Sequence, residues 1–349
     1  MFHPRRVKKR RPFDIGFSVL QVTPFFLLCI VCVLLWAAEP SAHALSFNLT
    51  YDSSTVGAPA GFFTAFNDAV QFYEAEYTDP ITINLQVGWG KINGQNLNPG
   101  NLGQSSTFQQ GFYSYSQIKS ALVNDGKSAA DATAIASLGP SDPTGGANFV
   151  MANAEAKALG LLAGNASGPD GFVGFNNTVS YTFDPNHRAV AGEYDFIGLA
   201  GHEITEIMGR YGLGQNGASS GRYSPIDLFR YLSPGVRDLT PANGAYLSID
   251  GGNSVINTFN GTGGGDLSDW AGLTLDSYNH SLALGQELDA SAGDITEMDV
   301  IGYDPAVVPE PATLTLLAVG LSVVIFASRH RKSVPSVGIC LKWPREIDR

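Results

Sequence analysis

One stretch of the sequence, residues 196–210, limits what this chain can fold into more than any other. Its apolar residues recur at steps of three and four, which predicts a helix with one face packed against a core. His202 and Glu206 stand four residues apart, so a helix places them one turn apart on the same face. Gly209 follows the last apolar residue of the stretch and favours the end of the helix there.

The same stretch carries residue types that bind and use a metal ion. Imidazole and carboxylate are both zinc ligands, and the spacing of His202 and Glu206 lets them reach one ion. Glu203 follows the histidine directly, at the position of the general base in H-E-x-x-H metalloprotease helices. Glu206 stands where that motif has its second histidine. An ordinary helix with a solvated polar face is the alternative interpretation.

The distribution of charge separates the two ends of the chain from its middle. Twelve of the 21 basic residues lie within residues 5–11 and 329–349, whereas residues 45–311 carry nine basic and 28 acidic residues, a formal charge of −19. So acidic a middle argues against nucleic acid as a partner and suits binding of a hard cation. All three cysteines lie outside this part. Any zinc there must use histidine and carboxylate ligands.

The N-terminal end has the features of a secretory signal peptide. Residues 5–11 are basic, residues 24–38 are apolar, and Ala42-His43-Ala44 follows them. This order predicts a signal peptide over residues 1–44 that signal peptidase removes after Ala44. An N-terminal anchor that is retained is the alternative.

The C-terminal end repeats the combination of apolar and basic segments in another order. Pro309, Glu310 and Pro311 precede an apolar stretch over residues 312–328, and a basic cluster follows it. Seventeen apolar residues are the lower limit for a membrane-spanning helix. Residues 333–349 form a basic tail. A permanent C-terminal anchor with its basic side in the cytoplasm is the alternative interpretation.

Between the two ends, helical and strand patterns alternate. We predict helices over residues 61–77, 116–125, 128–138, 147–162 and 294–303, and strands over residues 81–89, 172–175 and 179–183. This order predicts an α+β fold. Strand 179–183 is our candidate for the edge strand that pairs with an extended peptide, and a plain hairpin strand is the alternative.

Three aspartates outside the helix are further candidates for ion binding. Asp227 lies in a compact apolar segment and needs a partner there, either a metal ion or a nearby arginine such as Arg230 or Arg237. Asp266 and Asp269 lie in a glycine-rich loop, which suits a calcium site. Loops rich in glycine and aspartate are also common without an ion.

The C-terminal segment resembles a known sorting signal. Val308-Pro-Glu-Pro, the apolar stretch and the basic cluster together resemble the PEP-CTERM signal of Gram-negative bacteria over residues 305–332. The resemblance implies recognition by an exosortase and cleavage near Pro309, Glu310 and Pro311. It also implies an exported protein that is anchored in the inner membrane before sorting to the cell surface or the medium.

The middle of the chain, residues 45–304, resembles the zinc metalloproteases that carry PEP-CTERM signals and are metzincin-like in pattern. The likeness lies in TDPITINLQVGWG (78–90), GHEITEIMGR (201–210), DLFRY (227–231), SIDGG (248–252), GGDLSDW (264–270) and MDVIGYD (298–304). It implies a zinc-metalloprotease-like domain with a mixed twisted sheet, an active-site helix and a glycine-rich C-terminal part.

The resemblance also implies roles for individual residues. Zn²⁺ would bind His202 and Glu206, and Glu203 would act as general base on a peptide or protein substrate. Gly212 stands where a metzincin has its third ligand, so the third ligand must come from elsewhere. Asp227 is our first candidate, with His187 and His280 behind it.

A second function remains open from the sequence. Glu206 and Gly212 favour a degenerate protease fold that acts as a calcium- or matrix-binding surface protein, whereas the intact pair of His202 and Glu203 favours an enzyme.

Overall fold

In a computed structural model, the chain is described over residues 45–212, 222–262, 265–272 and 275–306 and at Gly320. The predicted signal peptide with Ala44, the motif at 309–311 and the basic tail lie outside the described residues, as does the predicted span apart from Gly320. Residues 45–306 belong to one compact unit. Among the described residues, no helix is long and apolar enough to cross a membrane.

The described residues form an α+β fold with several small sheets. The helices are α1 Ala60–Glu76, α2 Tyr115–Asp125, α3 Ala129–Ser137, α4 Asn153–Ala158, α5 Phe196–Met208 and α6 Ala292–Val300. The strands are β1 Ser46–Tyr51, β2 Thr82–Trp89, β3 Lys91–Ile92, β4 Gln95–Asn96, β5 Gly103–Thr107, β6 Gln109–Tyr113, β7 Asn148–Ala152, β8 Gly171–Phe175, β9 Tyr181–Thr182, β10 Tyr194–Asp195, β11 Arg222–Tyr223, β12 Arg230–Ser233, β13 Val236–Arg237 and β14 Tyr246–Leu247. The prediction of an α+β class is confirmed.

The largest sheet has the order β1-β2-β8-β5. Strands β1, β2 and β8 are parallel, and β5 lies antiparallel at the edge next to β8. The alternating residues of β2 face the core, because Ile83, Leu85 and Val87 are fully buried. A mixed sheet was predicted and is confirmed.

Helices α1 and α5 pack against this sheet through aromatic rings. Phe196 at the start of α5 lies 4.8 Å from the ring of Phe175 on β8 and 5.2 Å from that of Phe62 on α1. Rings of this size bury a large apolar area at contacts of this kind. The cluster fixes where α5 begins, and hence which way its polar side chains point.

Local signals set the two ends of α5. The Asp195 carboxylate accepts a hydrogen bond from the Ile197 amide at 3.1 Å, as expected of an N-cap. Arg188 holds that carboxylate at 2.7 Å. The helix ends at Gly209, whose φ of 125° favours glycine. Twelve of its thirteen residues are buried, so its polar face is not solvated but turned into the molecule.

Two predicted elements differ from the structure. Residues 147–162 form β7 and then the short helix α4, because the apolar run at Phe149 pairs with β6 rather than coiling. Segment 179–183 does not form a hairpin with β8, since Tyr181 and Thr182 pair in parallel with β10. The strand that lies at the edge of the sheet beside α5 is β5 instead.

Candidate metal site and cleft

Three donor groups meet at the polar face of α5. His202 Nε2 lies 3.7 Å from Glu206 Oε1 and 3.6 Å from Asp269 Oδ1. All three residues are buried, with 7%, 4% and 3% of their surface exposed. Two ligand atoms each about 2.1 Å from a tetrahedral ion lie about 3.4 Å apart. The spacing therefore matches one shared ion.

The hydrogen bonds of His202 leave its metal-binding nitrogen available. Nδ1 lies 2.8 Å from the carbonyl oxygen of Ser277, so Nδ1 carries the proton and donates it to that oxygen. Burial, together with the nearby Arg210 guanidinium, lowers the pKa of His202 to about 3. The ring is therefore neutral, and the lone pair of Nε2 faces the two carboxylates, as in histidines that ligate a metal.

One carboxylate oxygen of Glu206 accepts a hydrogen bond, whereas the other accepts none from the described residues. Ser105 Oγ on β5 donates a hydrogen bond to Oε2 at 2.5 Å. Oε1 is buried and accepts no hydrogen bond from any described residue. Arg210 Nη2 lies 3.8 Å from Oε1, beyond hydrogen-bonding distance, so a metal ion between Oε1 and the Nε2 lone pair would satisfy an oxygen that otherwise accepts no hydrogen bond. The donor set therefore fits Zn²⁺, which accepts nitrogen and oxygen ligands.

Arg210 supports the third donor. Its guanidinium is fully buried and donates to Asp269 Oδ1 at 2.6 Å and to the His202 carbonyl oxygen at 3.2 Å. Its Nε donates to Thr205 Oγ1 at 3.0 Å. Arg210 thus ties the loop that carries Asp269 to helix α5 and offsets part of the negative charge there.

Glu203 lies beside the three donors and against β5. A Cβ on Gly103 would overlap its Oε1, so any larger residue there would move this carboxylate. Burial and the charge of Asp269 raise the pKa of Glu203 to about 8. Burial and the neighbouring Glu203 likewise raise the pKa of Glu206 well above its usual range. Crowded buried carboxyl groups hold protons unless a cation replaces them.

The site opens into a cleft of about 600 Å³. Helix α5 and β5 form part of its wall, and the loops around residues 265–269 and 279–282 form the rest. His202, Glu203, Glu206 and Asp269 all line it. The cleft is large enough for several residues of a peptide or another small ligand.

The structure does not bring Asp227 to this site. Its carboxylate is fully buried and accepts hydrogen bonds from the Ser224 amide at 2.8 Å and the Ser224 hydroxyl at 3.2 Å. It caps the 3₁₀ helix Pro225–Phe229, and its oxygens are not among the donor atoms that converge with His202. Asp269 occupies the position that sequence reasoning gave to Asp227.

Three other candidate residues, His187, His280 and Asp266, do not belong to the group of converging donors. His187 is exposed and pairs with Asp184 at 3.1 Å. His280 lines the cleft, with Nδ1 3.0 Å from the Trp270 carbonyl oxygen, but it is not one of the converging donors. Asp266 lines the cleft as well, yet among the described residues it does not group with Asp269 and a third donor as a cation site would require.

Comparisons with known proteins bear on the C-terminal end of the chain. Residues 307–332 match the PEP-CTERM protein-sorting motif. The chain carries a PEP-CTERM sorting signal. The predicted PEP-CTERM sorting motif is thereby confirmed over residues 307–332, a range that includes Pro309, Glu310 and Pro311. The signal implies an exported protein that is anchored in the membrane until an exosortase processes it.

No curated protein matches the chain. No solved structure matches it either. The comparisons therefore do not support the resemblance to zinc metalloproteases, which rests on the motifs of the sequence alone.

Proposed function

We propose that this PEP-CTERM protein is a zinc-dependent endopeptidase that acts at the cell surface or outside the cell. The observation that carries the proposal is the convergence of one donor atom each from His202, Glu206 and Asp269 within 4.8 Å of one another, beside the buried Glu203 and at the wall of a large cleft. A donor set of one imidazole and two carboxylates with a neighbouring glutamate suits metal-assisted hydrolysis.

His202, Glu206 and Asp269 would hold the ion. Bound there, Zn²⁺ would supply Lewis-acid catalysis to the hydrolysis of a peptide bond. Ser105 and Arg210 would keep the carboxylates of Glu206 and Asp269 in position, as partners of metal ligands commonly do.

Glu203 would act as the general base and then as the general acid. Its carboxylate accepts a proton from the attacking water and delivers that proton to the leaving amine. The cleft wall and Gly103 keep the carboxylate beside the donors and away from bulk water. A general base works best when its pKa lies near the working pH, and burial raises the pKa of Glu203 in that direction.

Strand β5 would bind the substrate backbone. It is the edge strand of the sheet, it runs along α5, and Gly103, Gln104 and Ser105 line the cleft. An extended peptide can add to such an edge through main-chain hydrogen bonds. This places the backbone of the peptide along the wall that carries Glu203.

Metal analysis and proteolysis together test the proposal. The purified chain is expected to bind one Zn²⁺ and to cleave a denatured protein substrate, and His202→Ala is expected to lose both. Glu203→Gln should keep the zinc and lose about 10²–10⁴-fold in kcat. Asp125→Asn is a matched control, because Asp79, Asp125 and Asp304 form a second carboxylate group with no imidazole.

A second candidate function is supported by Arg210. Its buried guanidinium already offsets the charge of Asp269 at 2.6 Å, so the polar cluster could serve only to hold the loops of an exported binding protein. That function predicts a stable chain without zinc and no cleavage of any substrate. A chain that stays folded without zinc and cleaves no substrate, with no difference between the parent chain and Glu203→Gln, would favour it over the endopeptidase.

A further inference from the structure

We propose that a groove on the outer face of the largest sheet binds a neutral carbohydrate chain. The groove has a volume of about 320 Å³. Residues of β1, β2 and β8 form its floor, and the loop at Gly168 and Pro169 lies at its side. The inference concerns a different surface from the cleft and does not depend on the endopeptidase function.

The alternation of side chains places this groove on the side of the sheet away from α5. Successive side chains of a strand point to opposite faces. On β2, Ile83 is fully buried in the core, whereas Asn84 is half-buried and lines the groove. On β8, a Cβ at Gly171 would meet Ile207 of α5, so the neighbouring Phe172 points away from that helix. The groove and the metal site thus lie on opposite faces.

The strand register brings four uncharged polar side chains together in the groove. Asn48 and Thr50 on β1 pair with Asn84 and Gln86 on β2, and all four line the groove. Amides and hydroxyls both donate and accept hydrogen bonds, as the hydroxyl groups of a sugar do. This set of side chains therefore matches a ligand with many hydroxyl groups.

Two of these amides are held in place before a ligand binds. Asn48 Nδ2 donates to Asn84 Oδ1 at 2.9 Å, and Asn84 Nδ2 donates to the Ala166 carbonyl oxygen at 3.1 Å. Each bond uses one of the two N–H groups of its amide, so the second N–H remains for a ligand. Side chains that are already ordered reduce the entropic cost of binding.

An aromatic ring adjoins the amides. Phe172 on β8 pairs with Gln86 across the sheet, lines the groove and is half-buried. Its ring packs against that of Phe108, with 5.4 Å between the centroids. The face of an aromatic ring is electronegative and attracts the C–H groups of a sugar ring. The groove thus offers partners for both the hydroxyl groups and the C–H face of a sugar.

The groove is uncharged although the surrounding chain is strongly acidic. Residues 45–311 have a formal charge of −19, yet no described residue that lines the groove is charged. Asp170, which accepts a hydrogen bond from the main-chain amide of Asn84 at 2.6 Å, is buried and paired with Lys157 at 2.6 Å. The net charge disfavours an acidic polymer, and the groove offers no carboxylate to a cation. A neutral carbohydrate fits these conditions best.

The edge position of β1 allows a chain of sugars to continue past the groove. Strand β1 is an edge strand of the sheet, and Asn48 and Thr50 are exposed there. An extended peptide that adds to the same edge is the competing ligand. Such a peptide would bind through main-chain hydrogen bonds, which do not need the amides or the ring of the groove.

Titration calorimetry with defined oligosaccharides tests the proposal. The purified chain is titrated with neutral hexasaccharides of glucose, mannose, galactose and N-acetylglucosamine, and with acidic hexasaccharides of galacturonate and mannuronate. We expect at least one neutral hexasaccharide to bind, and the acidic ones to bind at least about tenfold more weakly. His202→Ala should bind the neutral sugar as the parent chain does, because the groove lies on the other face of the sheet.

Variants of the groove separate the proposed site from the rest of the surface. Asn48→Ala and Gln86→Ala should each weaken binding by about threefold to tenfold. Phe172→Leu keeps an apolar side chain without a ring and should weaken binding by about tenfold, whereas Phe172→Tyr should bind as the parent chain does. Gln71→Ala is the matched control, since it removes an exposed amide on α1, and it should leave the affinity unchanged.

Four results would overturn the inference. They are no binding of any neutral hexasaccharide, equal or tighter binding of the acidic ones, affinities that no groove variant changes, and loss of sugar binding in His202→Ala, which would place the sugar in the cleft. Asn48 is exposed, so Asn48→Ala keeps the test decisive if Phe172→Leu fails to fold, as its thermal unfolding would show. Binding of an extended peptide without binding of any sugar would assign the edge of β1 to the competing ligand.

Discussion

Asp269 Oδ1 lies 3.6 Å from His202 Nε2 although the two residues are 67 positions apart in the chain. Arg210 makes this contact rigid, because one guanidinium donates both to Asp269 and to the backbone of His202. The third donor of the candidate metal site thus comes from a glycine-rich loop rather than from the segment that follows α5.

Removing the third donor should weaken zinc binding. Asp269→Asn takes away one negative ligand and is expected to reduce zinc affinity by at least about 100-fold. The matched variant Asp227→Asn, in an equally buried carboxylate, should leave zinc affinity unchanged and cost about 1 kcal/mol of stability through its lost cap. Isothermal titration with Zn²⁺ and a competing chelator measures both affinities. Equal losses in the two variants would rule out Asp269 as the ligand.

The hydrogen bond from Ser105 should matter for the metal rather than for the fold. Ser105→Ala frees Glu206 Oε2 and lets the carboxylate turn, so zinc affinity should fall by about 10–100-fold. Ser106→Ala is the control, since Ser106 points to the other face of β5. The same titration with Zn²⁺ measures the affinities. Identical zinc affinities for Ser105→Ala and Ser106→Ala would contradict the positioning role of Ser105.

A single methyl group at Gly103 should misplace the general base. Gly103→Ala would push Glu203 away, because the new Cβ overlaps Oε1. We expect zinc content to be kept and kcat to fall by about 10²-fold. Gly57→Ala adds a Cβ with nothing within 4 Å and should keep full activity. Unchanged kcat in Gly103→Ala would show that the exact position of Glu203 is unimportant.

The metal-free chain should lose stability as the pH rises from about 6.5 to 8. Burial raises the pKa of Glu203 to about 8 and that of Asp294 to about 7. A carboxyl group with a raised pKa in the folded state binds more protons when folded, so its contribution is lost as the pH rises through that value. His202, whose pKa is lowered, is neutral in both states over most of this range and destabilises the fold only at lower pH.

Thermal unfolding at these two pH values checks this expectation. Glu203→Gln should show a smaller fall in Tm than the parent chain, because it lacks the group that ionises. Bound zinc should also reduce the fall, since the ion stabilises the ionised carboxylates. A Tm that rises with pH in the metal-free chain would contradict the assignment of Glu203 as a buried, protonated acid.

The sequence determined those features that depend on neighbouring residues. The period of α5 set its limits to within two residues and placed His202 and Glu206 on one face, because side chains four apart are neighbours on any helix. The alternation of β2 and the capping box of Ser128 with Asp131 are equally local and are present. The order of proline, glutamate, apolar and basic residues was sufficient for the sorting signal.

Only the tertiary structure decided which residues from distant parts of the chain lie next to His202 and Glu206. Strand β5 is too polar to stand out by pattern, yet its pairing with β8 brings Ser105 and Gly103 against α5. Both Asp227, in a compact apolar segment, and Asp269, in a glycine-rich loop, were candidate ion ligands in the sequence. Asp227 caps its own 3₁₀ helix, whereas Arg210 hydrogen-bonds Asp269 and holds it beside His202. Long-range packing made that choice, and spacing along the chain carries no information about it.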